Sequence, residues 1–300
     1  MQVERSFFIK KVAATTYPAR PPLRSLAHHN TARPRRIITM ACTRHTRLSG
    51  KVAVVTGASS GIGASIARAL AAEGCAVALA ARRVDKLAEV EAEINAAGNG
   101  KAISVATDVT KRADVRALVK AAEETLGPVD IMVNCAGVMY FTMMKNLHED
   151  EWERTVDINC KGTLNGVAAA LETMTPRNSG HIVNISSDAG RDVYSSLTVY
   201  CASKAFVVAL SKGLRKELVG TNVRVTDIQP GDVKTDLIMT NTDKEAAEIA
   251  GVQIGEIVGK GSTRNQVLDP EDVAAAVIYA VTAPPHVGVH ELMVEPKDQM

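Results

Sequence analysis

The 300-residue sequence is poor in aromatic residues, 3% in all with a single Trp. Its core must therefore be built from Val, Ala, Ile and Leu, which argues against an aromatic-rich β-sandwich and suits a buried parallel sheet with Ala-lined helices. The five Cys, at positions 42, 75, 135, 160 and 201, form no C-x-x-C pair. An odd count without a secretory signal points to reduced thiols in a reducing compartment. No metal site is expected from the seven His. Apolar runs such as Ala274–Ala283 are interrupted before the ~18 residues that a membrane span needs. With 35 basic against 33 acidic residues the net charge is +2, which gives no electrostatic case for nucleic acid.

That total hides two segments of opposite sign. Residues 1–50 hold eight Arg, two Lys and one acid, a net +9, which leaves −7 for residues 51–300. Residues 1–47 are rich in Arg, Ser, Thr, Pro and His and resemble a mitochondrial or plastid transit peptide. They equally suit a disordered tail or an extension upstream of a start at Met40. The expected location is mitochondrial if residues 1–39 are a cleaved leader, and cytoplasmic otherwise.

From position 48 onward short apolar runs alternate with amphipathic stretches. Strands are expected at Lys51–Val55, Ala76–Ala81, Ala102–Ala106, Val129–Asn134, His181–Ile185, Val223–Ile228 and Val289–Val294. Helices are expected at Ile62–Glu73, Lys86–Ala97, Val115–Leu126, Trp152–Thr175, Val199–Val219 and Glu271–Val281, the last opened by Asp269-Pro270. Strands alternating with helices of this length predict an α/β fold, a doubly wound parallel sheet in one Rossmann-like domain over residues 48–300. Ligands of such sheets lie beyond the carboxyl ends of the strands.

The first strand runs into Thr56-Gly57-Ala58-Ser59-Ser60-Gly61-Ile62-Gly63 and then into a helix. Glycines at such a turn let the backbone approach a pyrophosphate, which rests on the positive end of the helix. The second strand ends Ala81-Arg82-Arg83. An acid there would bind a ribose 2′-hydroxyl, whereas two guanidinium groups suit a 2′-phosphate. NADP(H) is therefore the expected cofactor. Asp85, three residues on, is expected as a helix cap.

Tyr200 and Lys204 lie four residues apart in a helical stretch, which places them on one face. A phenol titrating near pH 10 is a poor acid at neutral pH, and an ammonium about 4 Å away is worth roughly 4 kcal/mol in favour of the phenolate at an effective dielectric near 20. Ser187, at the end of the fifth strand, is placed to donate to a substrate oxygen.

Together these motifs resemble the short-chain dehydrogenases/reductases over some 250 residues from about Leu48, in the NADP-preferring branch. Besides the turn, Asp108-Val109 resembles the family's adenine-contacting element, and Asn134-Cys135-Ala136-Gly137 its Asn-Asn-Ala-Gly element with Cys135 in place of the second Asn. Asn159 matches the Asn of its proton relay, and Ser187, Tyr200 and Lys204 its catalytic set. Pro230-Gly231-Asp232-Val233-x-Thr235 matches the stretch that contacts the nicotinamide end.

The resemblance implies an NADP-dependent enzyme acting on CH-OH donors, with Tyr200 as acid/base, Ser187 steadying the oxyanion, Lys204 lowering the Tyr200 pKa and holding the nicotinamide ribose, and Asn159 keeping a water chain. It implies cofactor contacts from Thr56, Gly57, Ser59, Ser60, Gly61, Ile62, Gly63, Arg82, Arg83, Asp108, Val109, Asn134, Ala136, Gly137, Pro230, Gly231, Val233 and Thr235, and a homotetramer or homodimer. A 3-oxoacyl thioester reductase of lipid synthesis and a non-catalytic NADP(H) sensor are the alternatives. For the substrate, Met139, Tyr140, Phe141, Met143 and Met144 suit an apolar carbonyl or packing within the protein, Asp188, Arg191 and Asp192 a polar substrate, and Asp236–Gln266 a mobile lid.

Overall fold

The computed structural model describes residues 46–239, 241–255 and 267–299. The expected leader lies outside these residues except for Thr46 and Arg47. The Arg47 guanidinium pairs with Glu73 at 2.6 Å and donates to the Thr282 hydroxyl at 3.1 Å.

Seven strands form one parallel sheet: β1 (Val52–Thr56), β2 (Ala76–Ala81), β3 (Ala102–Ala106), β4 (Ile131–Asn134), β5 (Gly180–Ile185), β6 (Val223–Pro230) and β7 (Glu291–Val294). Their order is β3-β2-β1-β4-β5-β6-β7, with the direction of winding reversing between β1 and β4. The register is fixed by pairs such as Val55 with Leu79, Val55 with Val133, and Asn134 with Asn184. β2 and β3 span the expected residues, and the other strands differ from expectation by a residue or two at their ends. β4 opens at Ile131 because Asp130 turns its carboxylate to the Val52 amide and the Lys51 ammonium, both at 3.1 Å.

Parallel neighbours need crossovers, and the amphipathic stretches supply them as α1 (Gly61–Ala72), α2 (Val84–Ala97) and α3 (Arg112–Leu126). Alternation along β1 sends Ala53 and Val55 to one face and Val52 and Val54 to the other. The first face packs on Ile66 and Leu70 of α1, Leu87 of α2, and Val277 of a helix at Pro270–Val281; the second packs on Val115 and Leu118 of α3. Each of these fully buried aliphatic side chains contributes roughly 1.5–3 kcal/mol. Few aromatic rings are needed where Ala, Val and Leu fill both layers.

The long helix expected at Trp152–Thr175 is three segments. α4 (Glu149–Thr155) leads into a π-helical stretch, Val156–Gly162, and then into α5 (Thr163–Arg177). Periodicity does not reveal a widened turn, whose extra residue shifts the face a side chain occupies; such turns recur at functional sites. Gly162 lets Val109 pack in, since a Cβ there would come within 2.7 Å of the Val109 Cγ2. α6 (Thr198–Glu217) follows.

The stretch expected as a lid contains α7 (Lys244–Ala250), capped by the Asp243 carboxylate on the Ala246 amide at 3.1 Å. Residues 240 and 256–266 of it lie outside the described residues. α8 (Pro270–Val281) begins as expected after Asp269, whose amide donates to the Asp272 carboxylate at 2.9 Å. Asp85 is a first-turn residue of α2 rather than its cap, which is Arg83. Among the described residues no helix is long and apolar enough to cross a membrane.

Candidate active site

A cavity of about 920 Å³ opens at the carboxyl ends of the strands, where the winding reverses. One end is built by the turn after β1. Gly57 has φ +72°, and a Cβ on it would stand 2.9 Å from the Ala136 Cα; one on Gly63 would overlap the Gly57 carbonyl. Only glycine allows the start of α1 to fold so closely under the β4 loop. Ser59, Ser60, Gly61 and Ile62 line the cavity, and the first turn of α1 carries no acid to oppose an anion.

Arg83 spans this turn. Its Nη2 donates to the Ser59 hydroxyl at 2.9 Å and to the Ser60 hydroxyl at 2.6 Å. Arg82, Asp108 and Val109 line the same end. Burial works to raise the Asp108 carboxyl, but bonds from the Thr110 hydroxyl and amide, with Lys111 near, hold it below its usual value. Ala136, Gly137, Pro230, Gly231, Val233 and Thr235 also line the cavity, as expected of cofactor contacts.

Thr56 and Asn134 stand behind it instead. The Thr56 hydroxyl accepts from the Cys135 and Ala136 amides at 3.0 and 3.1 Å, which ties the β4 loop to β1. Asn134 donates to the Asn184 side chain at 2.9 Å within the sheet. Cys135 lines the cavity, and burial pushes its thiol up to about 12. It is therefore held as a neutral, apolar substitute for an amide.

Tyr200 and Lys204 sit one turn apart on α6, both buried at the other end of the cavity. The Lys204 ammonium lies 5.6 Å from the centre of the Tyr200 ring and donates to the Ile185 carbonyl at 3.0 Å. Burial pushes the Tyr200 phenol above its ordinary value, the Ser187 hydrogen bond opposes this, and Asp188 adds to it. This direction is opposite to the expected lowering, and desolvation is its main cause. Burial also lowers the Lys204 pKa.

β5 ends at Ile185, so Ser187 belongs to the loop beyond it rather than to the strand. Its hydroxyl donates to the Asp188 carboxylate at 2.7 Å, while Ser186 donates to the Ile228 carbonyl at 3.3 Å. Asn159 lies on the π-helical turn. Its side chain accepts from the Val138 amide and donates to the Val138 carbonyl, each at 2.9 Å, and reaches the Ser203 hydroxyl at 3.0 Å.

Among the lining residues, Tyr194 and Gln299 carry no sequence signal. Tyr194 donates from its hydroxyl to Asp188 at 2.9 Å, and Gln299 donates to Asp188 at 2.6 Å and accepts from the Asp232 amide at 3.0 Å. Met139, Tyr140 and Phe141 line the cavity, whereas Met144 is exposed. Asp188 lines it too, but Arg191 is turned away to Gln229 and Glu291.

The family model for short chain dehydrogenase matches residues 51–246. A protein named glycine betaine reductase, from Emericella nidulans, is 55% identical over 252 residues, 84% of this chain but 19% of that protein. The chain thus spans about a fifth of the length of that relative. An uncharacterized oxidoreductase of Staphylococcus aureus is 42% identical over 84% of this chain and 99% of its own length. Among solved structures, the closed form of serine dehydrogenase complexed with NADP+ matches with a TM-score of 0.72 and 34% identity, covering 83% of this chain and 96% of that one.

Proposed function

The chain belongs to the short chain dehydrogenases, and from that premise we propose that it is an NADP(H)-dependent oxidoreductase interconverting an aldehyde or ketone with its alcohol. The observation that carries this is the gathering of Ser187, Tyr200 and Lys204 at one end of a cavity whose other end is the glycine turn with Arg83. That end suits the dinucleotide phosphate: Ser59, Ser60, Gly61 and Ile62 line it, the first turn of α1 carries no acid, and β2 runs directly into Arg82 and Arg83. Arg82 and Arg83 would hold the 2′-phosphate, the Ser59–Gly63 turn the pyrophosphate, and Lys204 the nicotinamide ribose.

When bound, the cofactor supplies the hydride for the carbonyl carbon. Tyr200, kept protonated by burial, gives its proton to the developing alkoxide, a contribution of typically 10²–10⁴-fold. Ser187 turns from Asp188 and donates to the same oxygen, worth about 10²–10³-fold. Lys204 steadies the phenolate left behind. Asn159 fixes Val138 and Ser203 and so the walls on either side of Tyr200.

The test is purified protein with a panel of aldehydes and ketones, followed by NADPH absorbance with NADH run beside it. Turnover with NADPH preferred is expected. Tight NADPH binding with no turnover of any carbonyl would favour the non-catalytic sensor. Glycine betaine and serine, which give the relative and the solved structure their names, both carry a cationic nitrogen near the reacting carbon. The same reading extends to a homo-oligomer, which light scattering in solution would measure.

A further inference from the structure

The cavity is electrically polarised. Arg82, Arg83 and Arg154 line the turn end together with Asp108, whereas Asp188 and Asp232 line the other, where the ammonium of Lys204 is bonded to Ile185. We propose that the substrate carries a quaternary ammonium group, held by the charge of Asp188 and by the aromatic wall beside it. This rests on the carbonyl chemistry proposed above.

Asp188 is 6% exposed and accepts four hydrogen bonds. Ser187 and the Ala189 amide bond one oxygen at 2.7 and 2.8 Å; Tyr194 and Gln299 bond the other at 2.9 and 2.6 Å. All four donors are neutral, and among the described residues no Lys, Arg or His pairs with it. Both oxygens of Asp188 accept, as a carboxylate does, and with no countercharge beside them a cationic ligand in the cavity complements the group where an acyl chain would not.

The filled acceptor positions select the kind of cation. A carboxylate has about four lone-pair sites. Even after Ser187 turns to the substrate, three of the four stay filled, so Asp188 offers charge rather than vacant acceptors. A primary ammonium, with three donors to satisfy, gains less from this than a trialkylammonium, which has none.

The aromatic residues point the same way. Four of the seven among the described residues, Tyr140, Phe141, Tyr194 and Tyr200, line this one cavity in a chain otherwise poor in them. Tyr194 and Phe141 pack in one cluster with Met139 and Leu197. Ring faces attract desolvated quaternary cations, and burial together with Asp188 raises the Tyr194 pKa, which keeps that ring neutral. The overall change is an ammonio-aldehyde, NADPH and a proton giving the ammonio-alcohol and NADP+.

The experiment compares trimethylammonioacetaldehyde with 3,3-dimethylbutanal, which has the same shape with a neutral carbon for the nitrogen, and with aminoacetaldehyde. The expected kcat/KM with NADPH is at least tenfold higher for the trimethylammonium aldehyde than for either of the others. In Asp188→Asn the ratio of charged to neutral probe should fall about tenfold. Because both probes use the same catalytic groups, a shared loss through Ser187 cancels in that ratio. Added salt, which needs no variant, should lower kcat/KM for the cation and leave the neutral probe unchanged. Equal kcat/KM for cation and isostere overturns the charge assignment while the carbonyl chemistry stands. A preference for aminoacetaldehyde overturns the quaternary assignment, and no turnover of any aldehyde despite NADPH binding overturns both.

Discussion

Asn159 donates to the hydroxyl of Ser203 at 3.0 Å, and that hydroxyl donates to the Tyr200 carbonyl at 2.7 Å. The widened turn that carries Asn159 is thus joined to the helix that carries Tyr200, the proposed acid/base residue. Asn159→Ala would leave the buried amide and carbonyl of Val138 without these partners. A loss of about 1–3 kcal/mol is expected, with kcat falling more than the KM for NADPH. Ser203→Ala keeps both Val138 bonds and should cost about 1 kcal/mol, so denaturant melts of the two variants separate the contributions.

Tyr200→Phe removes the only proton that the mechanism transfers to substrate while preserving the ring. Turnover should fall by roughly 10²–10⁴-fold or more, with NADPH affinity measured by fluorescence within about twofold of the parent. Unchanged turnover would remove Tyr200 from the chemistry. Ser187→Ala should lose about 10²–10³-fold in kcat.

Arg83 holds Ser59 and Ser60 together at the proposed site of the 2′-phosphate. Arg83→Ala should raise the KM for NADPH about tenfold or more and leave that for NADH nearly as it was, since the lost bonds are charge-assisted contacts to a group NADH lacks. A parallel rise for both cofactors would mean that Arg83 only braces the turn.

His181 is buried against Thr226 at 2.8 Å, and desolvation, with Arg224 near, pushes its pKa down to about 3. The unfolded chain binds this proton near pH 6.5 and the folded protein does not, so the contribution is fully present above about pH 6.5 and is lost as the pH falls toward 3. The stability lost is roughly 5 kcal/mol in all. In His181→Gln the decline between pH 6.5 and 4 should be shallower than in the parent, as read by urea melts at each pH.

Asp243 caps α7 and also accepts from the Met143 amide at 2.9 Å and from the Asn146 side chain, fastening the segment before α7 to the loop after β4. Asp243→Ala should speed limited proteolysis within residues 236–255 and raise the substrate KM several-fold. The midpoint of thermal unfolding should move little, because the two sheet cores are untouched.

What could be read from the sequence was whatever repeats or clusters locally. The glycine turn follows a strand and opens a helix in consecutive residues, and Tyr200 and Lys204 share a face at one helical turn. Spacing along a helix fixes a face and not a depth, so the burial that pushes the Tyr200 phenol up could not be read from the spacing of Tyr200 and Lys204. Tyr194 and Gln299 carry no pattern, since irregular segments bring them to Asp188 from six and 111 residues away. The π-helical turn leaves the hydrophobic pattern of its helix almost intact and is invisible to periodicity.

Gln299 bonds to Asp188 and to the amide of Asp232, while Gly57 lies against Ala136 near the start of the sheet. The cavity is therefore closed by contacts of very long sequence separation, which form late because loop-closure entropy must be met before they stabilise anything. Cofactor capture then reports the final docking step of folding: a refolding chain should regain helical signal before it regains the ability to bind NADPH, and the lag between the two measures how long the outer edge of the sheet takes to arrive.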